Sequence, residues 1–301
     1  MKKALVTGGA GFIGSNLVDR LINDGVEVTV IDNESAGSNK KFYWNNKAEN
    51  YKYDICDYEN IKPLFKNVDA VFHLAAESRI QPSIKNPLLT AKVNIIGTCN
   101  ILQSAREHGV TRVIYSSTSS AYGKIQPPHN ENMRTNCLTP YSVSKVSGEQ
   151  FCKLYYNLFG LETVVFRYFN VYGQRQPLKG QYAPVVGLFL EQSKQNLPMT
   201  IVGDGLQRRD FTHVNDVVEA NILASKSKNK NILGEVLNIG TGMNYNILDL
   251  VKTIGGEYKF IDPRPGESKI SLADNRKAKE LLDWKPKINL KKWILEEKKH
   301  A

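Results

Sequence analysis

Two side chains four residues apart, Tyr141 and Lys145, are of types that can move a proton together. They open a helical pattern after Pro140, and a spacing of four puts both on one helix face. A phenol with a pKa near ~10 is a poor base at neutral pH. An ammonium beside it favours the phenolate and draws that value down, which would make Tyr141 a working acid–base group. Alone, such a pair reads as two solvated side chains, so its meaning depends on its surroundings. Upstream, the apolar run 112–115 reads as a buried strand that breaks into five hydroxyl residues, Ser116, Ser117, Thr118, Ser119 and Ser120. A second chemical signal lies near the N-terminus. Gly8, Gly11 and Gly14 follow a short apolar strand, a helical pattern continues through Leu21, and a second strand, 26–31, ends on Asp32. Strand, glycine loop, helix, strand and terminal acid form a βαβ unit that cradles a pyrophosphate on a helix N-terminus. Asp32, 18 residues after Gly14, is placed to accept hydrogen bonds from a ribose diol and to repel a 2′-phosphate, which favours NAD over NADP.

These groups need a scaffold, and the chain offers one in alternating elements. Strands are expected at 50–53, 68–74, 112–116 and 161–169, and helices at 57–66 with Asp57 as cap, 87–108 and 140–160. The alternation implies an α/β fold, a doubly wound parallel sheet of Rossmann type covered on both faces, in residues 1–170. From Asn170 the pieces shorten: strands at 199–202, 209–213, 235–239 and 258–261, and helices at about 182–195, 215–225, 247–254 and 275–282. Residues 171–301 read as a smaller α/β substrate lobe interleaved with the end of the sheet, with the substrate in the cleft beyond the carboxyl ends of the strands. At 301 residues, 41% hydrophobic and 23% charged, the chain has the composition of a globular enzyme with a sizeable core. No run reaches the roughly 18 apolar residues of a membrane span, so no membrane association is expected. Cys56, Cys99, Cys137 and Cys152 lack C-x-x-C pairing and have no histidine at metal spacing; they read as reduced thiols of a cytoplasmic protein without a metal centre. Much of the lysine behind the net charge of +10 falls in polar runs, 226–230 and 285–299, read as solvated surface; no basic–aromatic motif points to nucleic acid.

The glycine spacing G-x-x-G-x-x-G, together with Tyr141-x-x-x-Lys145, resembles the short-chain dehydrogenase/reductase superfamily, and within it the extended branch of nucleotide-sugar epimerases and dehydratases. The likeness spans nearly the whole chain. It implies bound NAD, held by Gly8, Gly11, Phe12, Ile13, Gly14, Asp32, Asn33, Leu74, Ala75, Ala76, Asn94, Ser116, Tyr141, Lys145 and Tyr168, with Asp54 and Ile55 at the adenine. It also implies catalysis by Thr118, Tyr141 and Lys145. Dehydratases of the branch carry an acid pair in the hydroxyl loop and the UDP-glucuronate decarboxylases a glutamate; Ser119 and Ser120 stand there instead, which implies epimerisation. By the same resemblance Asn170, Arg209 and Arg264 take a substrate diphosphate, Glu267 a ribose, Thr200 and Val202 a uracil, and Ser78 lies near the sugar. Ser271, seven after Arg264, occupies the place of a tyrosine in epimerases restricted to UDP-glucose and UDP-galactose, and leaves room for a 2-N-acetyl group. The segments 174–183 and 271–274 also resemble UDP-N-acetylglucosamine 4-epimerases. The expectation is an NAD-dependent UDP-sugar 4-epimerase working through a 4-keto intermediate, on N-acetylated and plain hexoses. A UDP-glucuronate 4-epimerase, which would need a pocket cation such as Arg79 or Arg175, is the nearest alternative. A dehydrogenase with net redox change and a non-catalytic NAD-binding regulator are the others. Glu77-Ser78-Arg79, a charged pair, departs from the family's small residues near the sugar; it would favour another sugar or sit at the rim. The chain's end at Ala301 implies a curtailed last helix. Helices 87–108 and 140–160 would pair two copies as a four-helix bundle, a homodimer.

Overall fold

The structure, a computed structural model, describes residues 1–36, 42–178 and 183–299. Its centre is a sheet of seven parallel strands. The chain enters it as β1 (Lys3–Thr7), crosses over α1 (Phe12–Asn23) to β2 (Glu27–Ile31), and continues to an edge strand, β3 (Glu49–Tyr51). It then returns to the other side of β1 as β4 (Ala70–His73). A short helix, α2 (Ile80–Lys85), precedes α3 (Gly97–Glu107), β5 (Arg112–Thr118), α4 (Pro140–Phe159) and β6 (Glu162–Tyr168). After α5 (Val214–Lys226) the C-terminal half contributes the last strand, β7 (Glu235–Ile239), against β6. The order is β3-β2-β1-β4-β5-β6-β7. The strand order reverses between β1 and β4, the kind of switch point at which α/β sheets bind ligands.

Alternate residues of each strand feed two cores. Ala4, Val6, Val28, Val30, Phe72, Ile114 and Phe166 pack against α1 and α5; Leu5, Ile31, Val71, Val113, Tyr115 and Val165 pack against α3 and α4. This is the expected doubly wound parallel sheet, with strands apolar on both faces because helices cover both. A third cluster, with Phe189, Met199, Ile201, Leu250 and Trp293, forms the core of the C-terminal lobe. There the strand Met199–Val202 pairs with Tyr258–Ile261, and the helices Val185–Lys194 and Ile247–Ile254 flank them.

The structure corrects several expected boundaries. The helix expected at 57–66 is one turn, Tyr58–Ile61, continued as a 3₁₀ turn, Lys62–Phe65, where Pro63 removes a backbone donor. The helix expected at 87–108 is Pro87–Ala91 and α3 joined by a π-helical turn, Lys92–Ile96, centred on the buried Asn94. The helix expected at 182–195 is described from Val185, and Tyr182 lies outside the described residues. The lysine-rich tail, expected as solvated surface, contains an amphipathic helix, Leu290–Lys299, which buries Leu290, Trp293 and Ile294 in the third cluster.

Candidate active site

The start of α4 is fixed by a capping box. Thr139 Oγ1 accepts from Ser142 N at 3.2 Å, Ser142 Oγ accepts from Thr139 N at 3.1 Å, and Pro140 occupies the first helical position. Tyr141 therefore stands in the first turn, where the positive end of the helix dipole favours an anion. Its backbone N–H donates to Ser83 Oγ of α2 at 3.2 Å. One turn on, the Lys145 ammonium sits 4.4 Å from the centroid of the Tyr115 ring, and the Tyr115 hydroxyl donates to Lys145 O at 3.2 Å. A Cβ on Gly148 would come within 2.2 Å of that hydroxyl, so glycine is what lets α4 lie so close to β5. Beneath them, Arg167 of β6 grips Glu149 of α4 through two nitrogens at 2.9 and 2.6 Å, a buried ion pair that also receives Ser117 Oγ.

Burial raises the Tyr141 phenol above its usual value; a hydrogen bond from Thr118 and the charge of Arg79 oppose that rise. Burial also drives Lys145 down to about 7. Among the charges near the phenol, that of Arg79 opposes the rise, and the Lys145 ammonium lies against the Tyr115 ring.

A cavity of about 530 Å³ runs from the glycine loop, past the end of β5 and the start of α4, into the C-terminal lobe. Thr118, Tyr141 and Lys145 line it together. So do Gly8, Gly11, Phe12, Ile13, Gly14, Asp32, Asn33, Ile55, Leu74, Ala75, Ala76, Ser116 and Tyr168 toward β1 and β2, and Ser78, Asn170, Thr200, Val202, Arg209, Arg264, Glu267 and Ser271 toward the lobe. The cofactor end fits a dinucleotide. A Cβ on Gly14 would lie 2.1 Å from Gly8 O, so the loop closes only around glycine and leaves its cradle open. Asp32, buried at the end of β2, accepts from Ala10 N at 3.1 Å and Glu34 N at 2.8 Å; burial raises its carboxyl, and these N–H groups oppose the rise. It thereby braces the glycine loop from the side a ribose would occupy.

Two assigned residues do not reach the cavity wall. Asp54 is held in a turn, accepting from Cys56 N at 2.8 Å and Asn33 Nδ2 at 3.3 Å. Asn94 spends its amide behind the wall: Oδ1 accepts from Glu77 N at 2.8 Å, while Nδ2 donates to Glu77 O at 3.0 Å and Ser144 Oγ at 2.9 Å. It thus clamps the segment after β4 to α4. His73 is likewise internal, with Thr7 Oγ1 at 2.7 Å from Nδ1, Thr98 Oγ1 at 3.0 Å from Nε2, and burial holding it neutral, down to about 3.

At the lobe end, Arg209 is steered by the carbonyls of Arg208 and Lys269 and by Glu267 at 3.5 Å. The Asn170 amide donates to Asp210 O at 3.1 Å and Ser271 Oγ at 3.3 Å, so its donors, expected on a diphosphate, are engaged within the protein here. Thr200 is set by a reciprocal pair of 3.1 Å bonds with the Gln192 amide. The cavity also takes Arg79, which sequence reasoning offered only as a cation for a uronate, and residues to which it assigned no role: Ile80 and Gln81 from α2, and Val185, Leu188 and Phe189 from one face of the helix Val185–Lys194. The charged pair Glu77 and Arg79 was the available signal for the first group; the second showed only ordinary helical periodicity. Arg175, the other cation considered for a uronate, pairs with Asp19 and lies over the Tyr43 ring, outside the cavity lining.

Comparison with known proteins gives consistent matches. A family model described as GDP-mannose 4,6 dehydratase matches residues 5–296. A Methanocaldococcus jannaschii protein, assigned provisionally as UDP-glucose 4-epimerase, is 41% identical over 299 residues, 96% of this chain and 95% of its own length. Among solved structures, the Thermotoga maritima UDP-glucose 4-epimerase with UDP-glucose is 38% identical, with a TM-score of 0.91 over 97% of this chain and 96% of that one. The Methanobrevibacter ruminantium UDP-N-acetylglucosamine 4-epimerase, in complex with UDP-N-acetylmuramic acid, is 33% identical, with a TM-score of 0.89 over 98% of this chain and 99% of that one.

Proposed function

The chain belongs to the GDP-mannose 4,6 dehydratase family of NAD-dependent epimerases and dehydratases, in the extended short-chain dehydrogenase/reductase branch, and on that premise we propose that it is a UDP-sugar 4-epimerase. The substrates are UDP-glucose and UDP-galactose and their 2-N-acetyl counterparts. One observation carries the choice of reaction. Around Tyr141 the cavity is lined by hydroxyls, Thr118, Ser119 and Ser120; its carboxylates among the described residues are Asp32, on the glycine loop, and Glu267, on Arg209. Expelling water from a sugar needs an acid at the leaving hydroxyl, and none of these is placed to supply one.

The steps follow from the geometry. Arg209 and Arg264 anchor the diphosphate, and charge-assisted bonds to a planar guanidinium suit that anchoring. With the tether fixed, the sugar lies against Thr118 and Tyr141, and the reacting groups gain the advantage of held partners. NAD, held by the glycine loop, Asp32 and Lys145, would supply a reversible hydride acceptor for C4. Tyr141 takes the proton of the 4-hydroxyl as that carbon becomes a carbonyl, and Thr118 bonds the same oxygen. The sugar then turns about its diphosphate so that the carbonyl carbon presents its opposite face for return of the hydrogen, and Tyr141 gives the proton back to the oxygen. Lys145, drawn down to about 7 by burial, is placed to hold a cofactor ribose, whose acceptors would favour its charged form.

Ser271 supports the wider substrate range. It lines the cavity with a small side chain whose hydroxyl is turned inward to Asn170 and Asp210. Two copies associate through α4 and the helix Pro87–Ala91. Four free thiols and the lack of any helix long and apolar enough to cross a membrane, among the described residues, accord with a cytoplasmic enzyme. The deciding experiment offers UDP-glucose, UDP-N-acetylglucosamine and UDP-glucuronate separately and follows the C4 epimer by NMR. The first two should equilibrate with no net change in NADH absorbance. Stoichiometric NADH would indicate a dehydrogenase, turnover of the uronate alone would overturn the substrate range, and Tyr141→Phe retaining wild-type rates would remove the assigned base.

A further inference from the structure

Ser271 sits on a stretch of chain that cannot place itself. Residues 262–275 run irregularly between the strand Tyr258–Ile261 and the helix Arg276–Leu282, and meet other segments through two isolated bridges, Arg208 to Ile270 and His129 to Ala273. Chain without a ladder of its own takes its position from the groups that bond it. On one side His129 brackets Ala273: its N–H donates to Leu272 O and its carbonyl accepts from Asp274 N, both at 2.8 Å. On the other side the Ala273 N–H donates to the Asp210 carboxylate at 3.1 Å.

Asp210 closes the strand Arg208–Asp210, where successive side chains point to opposite sides. Arg209 lines the cavity, while Asp210 turns inward and is wholly buried. Its carboxylate takes four donors. Oδ1 accepts from Thr241 N at 2.8 Å and Thr241 Oγ1 at 2.6 Å, and Oδ2 from Gly242 N at 2.9 Å and Ala273 N at 3.1 Å. Among the described residues no lysine or arginine forms a salt bridge with it. A buried anion without a cation is costly unless its hydrogen bonds are complete, so the carboxylate and its donors hold one another in place. The backbone joins the same group: Asp210 N–H donates to Ser271 Oγ at 3.3 Å, and Asp210 O accepts from Asn170 Nδ2 at 3.1 Å. Gly240 completes the seat at the end of β7, since a Cβ there would lie 2.5 Å from Ala273 Cβ.

We propose that Asp210 is a positioning residue for substrate choice: its carboxylate holds the backbone of the Ser271 segment in register with the strand that carries Arg209, and so sets the room between the diphosphate anchor and the sugar wall. The inference rests on the reading of Arg209 as that anchor and of Ser271 as the wall beside the sugar's 2-substituent. Asp210 lies outside the cavity lining and moves no proton. The Ser271 hydroxyl does not fix this distance, because the backbone stays on the carboxylate without it. With the carboxylate gone, Ala273 keeps only its bracket at His129, and the wall can retreat. A retreating wall takes contact from the smaller sugar and leaves the N-acetylated one its room.

The test compares kcat/KM for UDP-N-acetylglucosamine and for UDP-glucose in the NAD-bound enzyme, in wild type, Asp210→Ala and Asp210→Asn. Bound NAD and the melting curve of each variant give its folded fraction. In Asp210→Ala both values should fall, UDP-glucose the more, so that the ratio of N-acetylated to plain substrate rises by about threefold or more. Loss of folded enzyme scales both substrates alike and leaves that ratio untouched. A smaller rise, an unchanged ratio or a fall in folded Asp210→Ala overturns the proposal and makes the carboxylate a merely structural group. Should Asp210→Ala fail to fold, Asp210→Asn decides, because an amide oxygen can serve only one of the two donor pairs. A ratio raised by about twofold or more then upholds the proposal, and anything less overturns it. Failure of the underlying reading is separate: wild type would then turn over no N-acetylated sugar, or Arg209→Met would keep the wild-type KM for UDP-glucose.

Discussion

At the scale of single residues, the free protein holds its acid–base pair against burial. Lys145 is lowered from 10.5 to about 7, so between those values the unfolded chain binds a proton that the folded chain has released. Stability therefore rises with pH across that window, by an amount on the order of a few kcal/mol from this residue. Tyr141, shifted upward, acts in the opposite sense only above its unfolded value near ~10. The net charge of +10 also relaxes as pH rises, so the comparison has to be with a variant. Lys145→Met should melt higher than wild type near pH 7 and show a flatter rise toward pH 9; equal slopes in the two proteins would show that the ammonium is not buried as the structure has it. Ser271 yields a second prediction. Its hydroxyl accepts from Asn170 and from Asp210 N at 3.3 Å, so Ser271→Tyr both fills the cavity and breaks two bonds. Ser271→Ala breaks the bonds and leaves the room. Tyrosine should reduce kcat/KM for UDP-N-acetylglucosamine by about tenfold or more relative to UDP-glucose, as expected of steric exclusion, while alanine leaves that ratio unchanged. A ratio that moves equally in both variants would assign the effect to the bonds.

At the scale of elements, the joint between α4 and β6 holds the site in register. Glu149 and Arg167 are almost wholly buried, with 2% and 4% of their side chains exposed, and Arg167 also lies 4.8 Å from the centroid of the Tyr122 ring. Removing one partner leaves the other charge buried and unpaired. Glu149→Ala should therefore cost about 3–5 kcal/mol in denaturant unfolding, far more than any of the exposed pairs, and a loss below about 1 kcal/mol would mean that water reaches the pair. The elements that carry the site were readable because each announces itself locally. The glycine loop, the acid closing β2 and the Thr139-Pro140 start of α4 are signals within a few residues, and the sheet strands are apolar on both faces. What escaped reading depends on contacts distant in sequence. The π-turn at Asn94 follows from bonds to Glu77 and Ser144, and α2 from its docking on α4. The C-terminal helix hides Trp293 and Ile294 among lysines, where composition points to solvent and only the waiting core shows otherwise. Asp54 and Asn94 were placed on the site by resemblance, yet Asp54 bonds Cys56 and Asn33, and Asn94 bonds Glu77 and Ser144. Arg79 was offered only as a cation for a uronate because a charge in a sequence does not say what it faces.

At the scale of the whole molecule, the helix that carries Tyr141 and the helix Pro87–Ala91 beside it expose several large apolar side chains. Leu88 is 83% exposed, Ile96 53%, Val143 50%, Leu154 45% and Leu158 64%. On α4, Val143, Leu154 and Leu158 fall on one stripe, and the helix Pro87–Ala91 lies beside it. Scattered apolar residues are ordinary on a surface, but a continuous stripe across two neighbouring helices is characteristic of a protein–protein contact. A two-fold axis along it would pair each stripe with its own copy, as closed homodimers require. The helix that would be buttressed is the one that carries Tyr141 and Lys145 at its start, so assembly and catalysis share an element. The prediction is that the protein runs as a dimer, about twice 33.9 kDa by light scattering at micromolar concentration. Leu88→Asp combined with Leu158→Asp should give a monomer, since a charge buried without a partner in such a contact costs several kcal/mol. If the association steadies α4, the monomer should also melt lower and lose epimerase activity in proportion, with bound NAD released more readily. A double variant that remains dimeric would place the contact elsewhere on the surface, and a wild type that is already monomeric would leave the stripe to a different partner.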